Sequence, residues 1–497
     1  MARTVIILAA GEGKRMKSDL PKVLHPLLGR SLVGHVLAAA APLGAQRTMV
    51  VVGHGADRVT EHLAEIAPGA GTVVQAEQRG TGHAVRTALE ALDGVSGTVV
   101  VLSGDVPLLR TETLTALVQA HENAAAAATL LTAVVGVPAG LGRILRDAEG
   151  DLAGIVEARD ASAEQLAIRE INAGVYAFEA AELRDALGKL TTDNAQGEEY
   201  LTDVFGLLLG AGRKVAVQLA EDENEALGCN DRAELARLGA RLRDRINDGH
   251  MRAGVTIVDP ATTWIDAAVT IERDAVIEPH TQLRGATEVA SGAVIGPEVT
   301  LIDTTVGEGA EVCKAHAVLA EIGPKAKVGP YAYLRPGTTL GVKAKVGTFV
   351  EVKNSTVGEG TKIPHLSYVG DATIGDFTNI GAANVVANYN WQSKSRTVIG
   401  SHVNTGSDSV LVAPVRLGDG SSTAAGSIIN EDVPPGALAI ARSRQVNKEG
   451  WIHKSRPDSA AAKAAQAAAD NALGDTAPGD TALDNAVEPP ESTEADS

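Results

Sequence analysis

Aromatic residues are scarce in this chain: Phe, Trp and Tyr together make up 3 % of 497 residues. Such a composition suits a core too narrow for large rings. Cysteine is scarcer still. Cys229 and Cys313 show neither metal-ligand spacing nor a framework pattern, which excludes a disulfide scaffold and points to a reduced, cytoplasmic setting. No stretch approaches the roughly 20 apolar residues of a membrane span, so no membrane partner is expected. The opening MARTVIILAAGEGKRM runs from a short apolar stretch into a glycine loop, unlike a signal peptide. Basic residues are in deficit, 44 against 62 acidic, for a net charge of −18. That argues against nucleic acid as a partner. It leaves room for small phosphorylated ligands, which need only local cations.

What the chain has in quantity is a beat. Between residues 276 and 429 a branched aliphatic is repeatedly followed by glycine: Ile295-Gly296, Val328-Gly329, Val346-Gly347, Val357-Gly358, Val369-Gly370, Ile374-Gly375, Ile380-Gly381 and Ile399-Gly400 are examples. Hexads of this kind mark a parallel β-helix. Each hexad supplies one flat face and a corner, and three make a coil. The aliphatic side chain enters the axis, and the small residue lets the chain round the corner. A β-sandwich is the poorer reading, because its strands alternate at period two and hold no six-residue phase.

The first 227 residues alternate β-branched runs (5–8, 48–52, 98–102, 130–135) with helical patterns (32–41, 84–92, 111–122). This predicts an α/β domain, a Rossmann-like and mainly parallel sheet, over 1–227. Leu235, Leu238, Leu242 and Ile246 keep helical spacing and predict a linker helix within 228–252. The β-helix domain is expected over 253–457. From Asp458 to Ser497 there are nine acidic residues and one lysine, a net of −8. With almost no large apolar residue, 458–497 reads as a disordered acidic tail; a helix over 460–472 is the marginal alternative.

The first candidate site follows the first strand. LAAGEGKRM (residues 8–16) can cradle phosphates on backbone N–H groups, with Arg15 and Lys22 to neutralise them. The loop lacks the ending of a Walker A motif. Gln75, just before GTGHA, offers an amide suited to the imide edge of uracil. SGDVPLL sets Asp105 at the end of an apolar strand, where open α/β sheets bind ligands. A carboxylate there suits Mg²⁺, which takes few protein ligands alongside substrate phosphates.

The second candidate site lies where the beat fails, at KIPHLSYVGD (362–371) and NVVANYNWQSKSRT (384–397). Both are expected to be loops leaving the solenoid. His365 stands in the first, with Tyr368 after it, and Arg335, Lys353, Asn379 and Lys394 are polar candidates around it. Acyl transfer to an amine needs a base of near-neutral pKa, which histidine supplies, and a sugar phosphate needs cations.

Together LAAGEGKRM, PKVLH, QAEQRGTGHA, SGDVPLL, GIVEA, INAGVYAF, DNAQGEEYLTD and CNDRAEL resemble the sugar-1-phosphate nucleotidyltransferases. With the β-helix motifs, residues 3–456 are similar to the bacterial bifunctional N-acetylglucosamine-1-phosphate uridylyltransferases/glucosamine-1-phosphate N-acetyltransferases. The resemblance implies a left-handed β-helix of hexapeptide repeats, a homotrimer with the acyl site between subunits, and synthesis of UDP-N-acetylglucosamine for the cell wall. It implies a uridine-nucleotide site at Leu8, Ala9, Ala10, Gly11, Arg15, Lys22, Gln75, Gly80, Thr81, Ser103 and Gly104. Gly142, Glu157 and Asn172 would hold the sugar, with Asp105 and Asn230 on Mg²⁺. In the second domain it makes His365 the base. Arg335, Lys353, Tyr368, Asn379 and Lys394 would hold glucosamine 1-phosphate. Ala382, Asn388, Tyr389, Ser407, Ala425 and Arg442 would contact acetyl-CoA, with the Ala382 N–H as oxyanion donor. The implied small-molecule partners are UTP, N-acetylglucosamine 1-phosphate, glucosamine 1-phosphate and acetyl-CoA.

The chain departs from that family's pattern in places. Arg79 replaces an apolar residue before GTGHA, Leu141 a tyrosine beside the sugar pocket, and Asp231 a second asparagine after Asn230. Asn390-Trp391 replaces Asp-Gly in the acyl-donor loop. A second expectation is a nucleotidyltransferase of single activity whose β-helix only oligomerises or regulates; His365 with its three cations weighs against it.

Overall fold

The computed structural model describes residues 2–138 and 140–474. Residues 1–441 form one compact unit, and a second begins at Arg442. In the first, seven strands build the main sheet in the order Val215–Leu219, Ala128–Val134, Glu170–Glu179, Thr98–Ser103, Arg3–Ala9, Arg47–Val52, Gly71–Val74. All pairings along it are parallel except the two made by Glu170–Glu179. The central strands read as continuous apolar runs because both faces are covered: Val99, Val100, Val101 and Leu102 are all fully buried. A hairpin, Arg143–Arg146 with Leu152–Val156, adds to Glu170–Glu179. Arg3–Ala9 and Thr98–Ser103 lie side by side, with Leu8 opposite Ser103. The loop after Ala9 therefore meets the turn carrying Asp105.

The linker helix Arg232–Arg252 starts on Asp231, whose side chain accepts from the Glu234 N–H at 2.8 Å. Aspartate caps a helix as well as asparagine does, which accounts for Asp231. The helix joins the two domains: Asn247 Nδ2 donates to the Pro260 and Thr263 carbonyls at 3.0 and 3.1 Å, and the Arg243 guanidinium lies 5.0 Å from the Trp264 ring centre. The Ala267 N–H also donates to the Leu28 carbonyl at 3.0 Å.

From Thr256 to Ala439 the chain winds as a left-handed β-helix of three parallel sheets holding 11, 10 and 9 strands. One file of axial side chains is Ile277, Ile295, Val312, Val328, Val346 and Ile363, each on the next coil and all nearly or fully buried. Each such aliphatic contributes on the order of 1.5–3 kcal/mol by burial. Threonines inside the corners donate to the next coil: Thr361 Oγ1 to the Gly375 carbonyl at 2.6 Å, and Thr378 Oγ1 to Gly400 at 2.7 Å.

Two expectations about the prism are corrected. The glycine after the aliphatic is needed less for turning than for close approach. A Cβ on Gly358 would stand 2.5 Å from the Gly375 carbonyl carbon on the coil above. Left-handed corners are instead occupied by residues such as Lys325, Lys343 and Asp371. And residues 362–371 do not leave the solenoid. Lys362–His365 pairs with Lys345–Thr348, and Tyr368–Gly370 with Glu351–Lys353. Ile363 and Val369 still fill the axis, and backbone pairing tolerates the missing glycines. Only 388–395 forms an excursion.

The tail expectation is corrected in part. Ala460–Gly474 is a helix, because alanine has the highest helix propensity and needs no tertiary core to favour it. Ser459 Oγ accepts from the Ala462 N–H at its start. The disorder expected from residue 475 onward lies outside the described residues. No helix among the described residues is long and apolar enough to cross a membrane.

Candidate active sites

At the carboxyl ends of the central strands is a cleft of about 530 Å³. It is lined by seven of the expected residues: Arg15, Ser103, Asp105, Gly142, Glu157, Asn172 and Asn230. Lys22 reaches it from the turn Lys22–Leu24. Its ammonium pairs with Asp105 and lies 3.3 Å from Asn230 Oδ1. Gly13 makes room for that lysine: it sits at φ 66°, and a Cβ there would be 2.7 Å from Lys22 Cβ. Two oxygens from distant segments thus converge on one cationic point. Among the described residues no group of three or more His, Cys, Asp or Glu side chains is arranged to hold a metal ion. The donor set fits Mg²⁺, a hard cation satisfied by one or two carboxylates and substrate oxygens.

The other residues expected to hold the nucleotide, Leu8, Ala9, Ala10, Gly11, Gln75, Gly80, Thr81 and Gly104, do not line this cleft; their own contacts place them. The Gly104 N–H donates to the Leu8 carbonyl at 2.9 Å. Gln78, which sequence reasoning left unassigned, donates to the Ala10 carbonyl at 2.7 Å, holding Ala9, Ala10 and Gly11 in place; a Cβ on Gly11 would meet only open space. Gln75 is buried, its Nε2 within reach of the Gly80 carbonyl at 3.1 Å and His83 Nδ1 at 3.0 Å. That commitment fixes the amide and leaves Oε1 as its acceptor. Gly80, at φ 109°, packs so tightly on the Glu199 backbone that a Cβ would stand 2.5 Å from its carbonyl. Thr81 Oγ1 accepts from the Leu201 N–H at 3.0 Å.

On the sugar side, Asn172 Nδ2 donates to the Tyr176 hydroxyl at 2.7 Å, and the Asn172 N–H to the Gly142 carbonyl at 2.9 Å. Burial drives the Tyr176 hydroxyl well above the usual tyrosine range. Glu157 accepts from Thr202 Oγ1 at 3.1 Å. Burial raises its carboxyl above the usual range, against that hydrogen bond and with Asp203 and Asp160 adding repulsion. Cys229 is buried, and burial pushes its thiol up to about 11. Leu141 packs on the apolar core, and Arg79 pairs with Glu77 on the surface. Arg237 and Arg241 from the linker helix also line the cleft. Helical spacing alone does not show which way these two arginines face.

The second site lies on the prism. Arg335 Nη1 donates to Glu351 Oε1 at 2.8 Å. Lys353, Tyr368 and the 388–395 excursion sit on adjoining coils of one sheet. His365 is exposed at the end of its strand, and Asn379 starts the next strand of that sheet. In the excursion Tyr389 bridges Lys394 in antiparallel fashion, which brings Lys394 back to the prism. Lys353, beside Lys394 and paired with Asp371, is held above its ordinary range; Lys394, pressed by Lys353, falls below. Asn390 Oδ1 closes the turn by accepting from Ser393 N at 2.8 Å, and the Tyr389 hydroxyl donates to the Trp391 carbonyl at 2.7 Å. Trp391 occupies φ 75° and is 88 % exposed as a residue. Among the described residues the Ala382 N–H has no acceptor, while its carbonyl takes the Asp408 N–H at 2.8 Å. Ser407 and Ala425 are exposed on the following coils. Arg442 is exposed and opens the second compact unit.

Fold and sites define a class: a nucleotidyltransferase sheet continued into a hexapeptide-repeat acyltransferase prism. Residues 5–193 match the MobA-like NTP transferase domain, and 317–417 the GMPPB C-terminal domain. Among similar proteins is one from Streptomyces coelicolor (strain ATCC BAA-471 / A3(2) / M145), 59 % identical over 93 % of this chain and 96 % of the relative. One from Pseudarthrobacter chlorophenolicus is 54 % identical over 99 % and 97 %. One from Mycolicibacterium vanbaalenii is 55 % identical over 92 % and 94 %. Each bears the name Bifunctional protein GlmU. The chain belongs to the bifunctional GlmU family.

Proposed function

We propose that the two sites described above carry two consecutive steps in the synthesis of UDP-N-acetylglucosamine. The chain is a bifunctional transferase, an acetyltransferase and a uridylyltransferase in one polypeptide, and serves cell wall synthesis. At the prism, the His365 imidazole takes a proton from the ammonium of glucosamine 1-phosphate. The freed amine attacks the thioester carbonyl of acetyl-CoA, and the CoA thiolate leaves. The Ala382 N–H, which has no acceptor among the described residues, donates to the oxyanion. Arg335, Lys353 and Lys394 hold the sugar phosphate, with Tyr368 and Asn379 beside it. Asn388, Tyr389, Ser407 and Ala425 contact acetyl-CoA.

In the cleft, the phosphate oxygen of N-acetylglucosamine 1-phosphate attacks the α-phosphorus of UTP in line, and pyrophosphate leaves. Positioning and charge neutralisation carry such a step. The 8–11 backbone, Gln75, Gly80, Thr81, Ser103 and Gly104 hold the nucleotide, Gly142, Glu157 and Asn172 the sugar, and Arg15 and Lys22 the phosphates. Asp105 and Asn230 would hold Mg²⁺, which when bound neutralises charge on the phosphates.

The observation that carries the reading is the convergence of Asp105 and Asn230 on one cationic point at the phosphate end of the cleft. Assays of both half-reactions on wild type, Asp105→Ala and His365→Ala test it. Asp105→Ala loses only uridylyl transfer and His365→Ala only acetyl transfer. A wild type without acetyl transfer would leave a nucleotidyltransferase with a structural β-helix. The same reading includes a cytoplasmic homotrimer. Tyr331 and Phe349, exposed and stacked at 5.3 Å, are rings a neighbouring copy would cover, and light scattering should give three chains.

A further inference from the structure

Asp371 has no assigned part in either reaction, yet it is the most heavily engaged carboxylate on the prism. It follows Gly370 at a left-handed corner, φ 53°, and is only 6 % exposed. Its Oδ1 accepts from Asn354 Nδ2 at 2.6 Å. Its Oδ2 accepts from Asn388 Nδ2 and lies 3.4 Å from the Lys353 ammonium. Burial alone would raise its carboxyl; hydrogen bonds from Asn354 and Asn388, with the Lys353 ammonium, outweigh burial and hold it below the usual range.

Asp371 and these partners come from three successive coils, and their meeting depends on a bare Cα. A Cβ on Gly370 would collide with the Tyr368 hydroxyl and stand 2.8 Å from Asn388 Nδ2. Tyr368, Asn388, Asp371 and Lys353 therefore share one point. Lys353 belongs to the proposed sugar-phosphate site and Asn388 to the proposed acyl-donor site. An unpaired ammonium on a flexible four-carbon stem would be free to swing, and Lys394 beside it would push it away.

We propose that Asp371 is a positioning residue that locks Lys353 and Asn388 together, so that the sugar-phosphate and acyl-donor subsites are set by one buried carboxylate. This rests on the acetyltransferase reading of the prism. Asp371 touches neither substrate and acts through its two partners. With the carboxylate gone, Lys353, Lys394 and Arg335 repel one another, with the Tyr368 and Tyr333 hydroxyls near them and Glu351 already paired to Arg335. The two lysines then lose protons more easily.

The test is steady-state acetyl transfer by Asp371→Asn, which keeps the size and removes the charge, with uridylyl transfer as the control for folding. Expected is a rise in KM of about tenfold or more for glucosamine 1-phosphate, the scale of one charge-assisted hydrogen bond, with a smaller rise for acetyl-CoA. The alkaline limb of kcat/KM for the sugar phosphate should move to lower pH. The double variant Lys353→Met/Asp371→Asn should lose no more sugar-phosphate affinity than Lys353→Met, because both act through the same ammonium. An unchanged KM and pH profile, or additive losses in the double variant, would overturn the proposal. So would a parallel fall in both activities, which marks a merely structural role. A wild type lacking acetyl transfer would instead sink the reading beneath it.

Discussion

The Lys22 ammonium bridges Asp105 and Asn230, residues 83 and 208 positions away in the chain. On the proposed reading Asp105 and Asn230 would hold the divalent cation, so lysine and metal would compete for the same two oxygens. In the Lys22→Met variant that competition ends. Mn²⁺ should bind the nucleotide-free variant more tightly than wild type, read by its paramagnetic relaxation signal. Uridylyl transfer should nevertheless fall on the order of a hundredfold, because a cation facing the phosphates is lost. EDTA should abolish uridylyl transfer and leave acetyl transfer intact.

Glu157 is a second place where electrostatics can be read. Its folded-state carboxyl is raised, so the folded chain holds the proton more tightly than the unfolded chain. Stability from this group is therefore present at low pH and is lost as pH rises from the unfolded value of about 4.3 through the raised folded value. In Glu157→Gln that loss disappears. The difference in Tm, variant minus wild type, should grow between acid and neutral pH while KM for N-acetylglucosamine 1-phosphate rises.

Trp391 occupies a left-handed conformation that costs a non-glycine residue about 1–2 kcal/mol. Its ring is exposed and recovers little of that by burial. Trp391→Gly should stabilise the chain toward denaturant by up to about 1 kcal/mol, after the unfolded-state entropy of glycine is offset. The acetyl-transfer kcat should be unchanged, because His365 lies on a strand outside the excursion that carries Trp391; a fall in kcat would mean that the ring orders the acyl-donor loop.

Gly323 tests the packing of the coils. A Cβ there would collide with the Leu340 carbonyl on the coil above. That neighbour is backbone and cannot swing aside. Gly323→Ala should cost about 1–3 kcal/mol or more as an overpacking strain, measured as a fall in the urea midpoint. Gly420→Ala, where no atom lies within 4 Å, serves as the comparison. Gly420 sits at φ 65°, so its cost should reflect backbone strain alone.

Much of the fold was legible because periodicity is local. The aliphatic-glycine beat requires only neighbours in sequence, and the strand runs of the first domain were readable for the same reason. Residues 362–371 look like a break in the sequence but pair in the structure, because a glycine-poor hexad can still pair by backbone alone, as His365 does with Thr348. The helix over Ala460–Gly474 was judged by its lack of large apolar residues, when alanine propensity decides a surface helix.

The sequence by itself determined the prism, the α/β sheet, the family and the types of side chain at both sites, since all of these rest on residue identity and short-range order. Only the tertiary structure decided who meets whom. It set Lys22 between Asp105 and Asn230, aimed Arg237 and Arg241 into the cleft, and gathered Lys353, Asn388 and Asp371 over Gly370. Those meetings depend on the pitch of successive coils and the order of strands in a sheet. These bring together residues whose separation along the chain carries no trace of their contact.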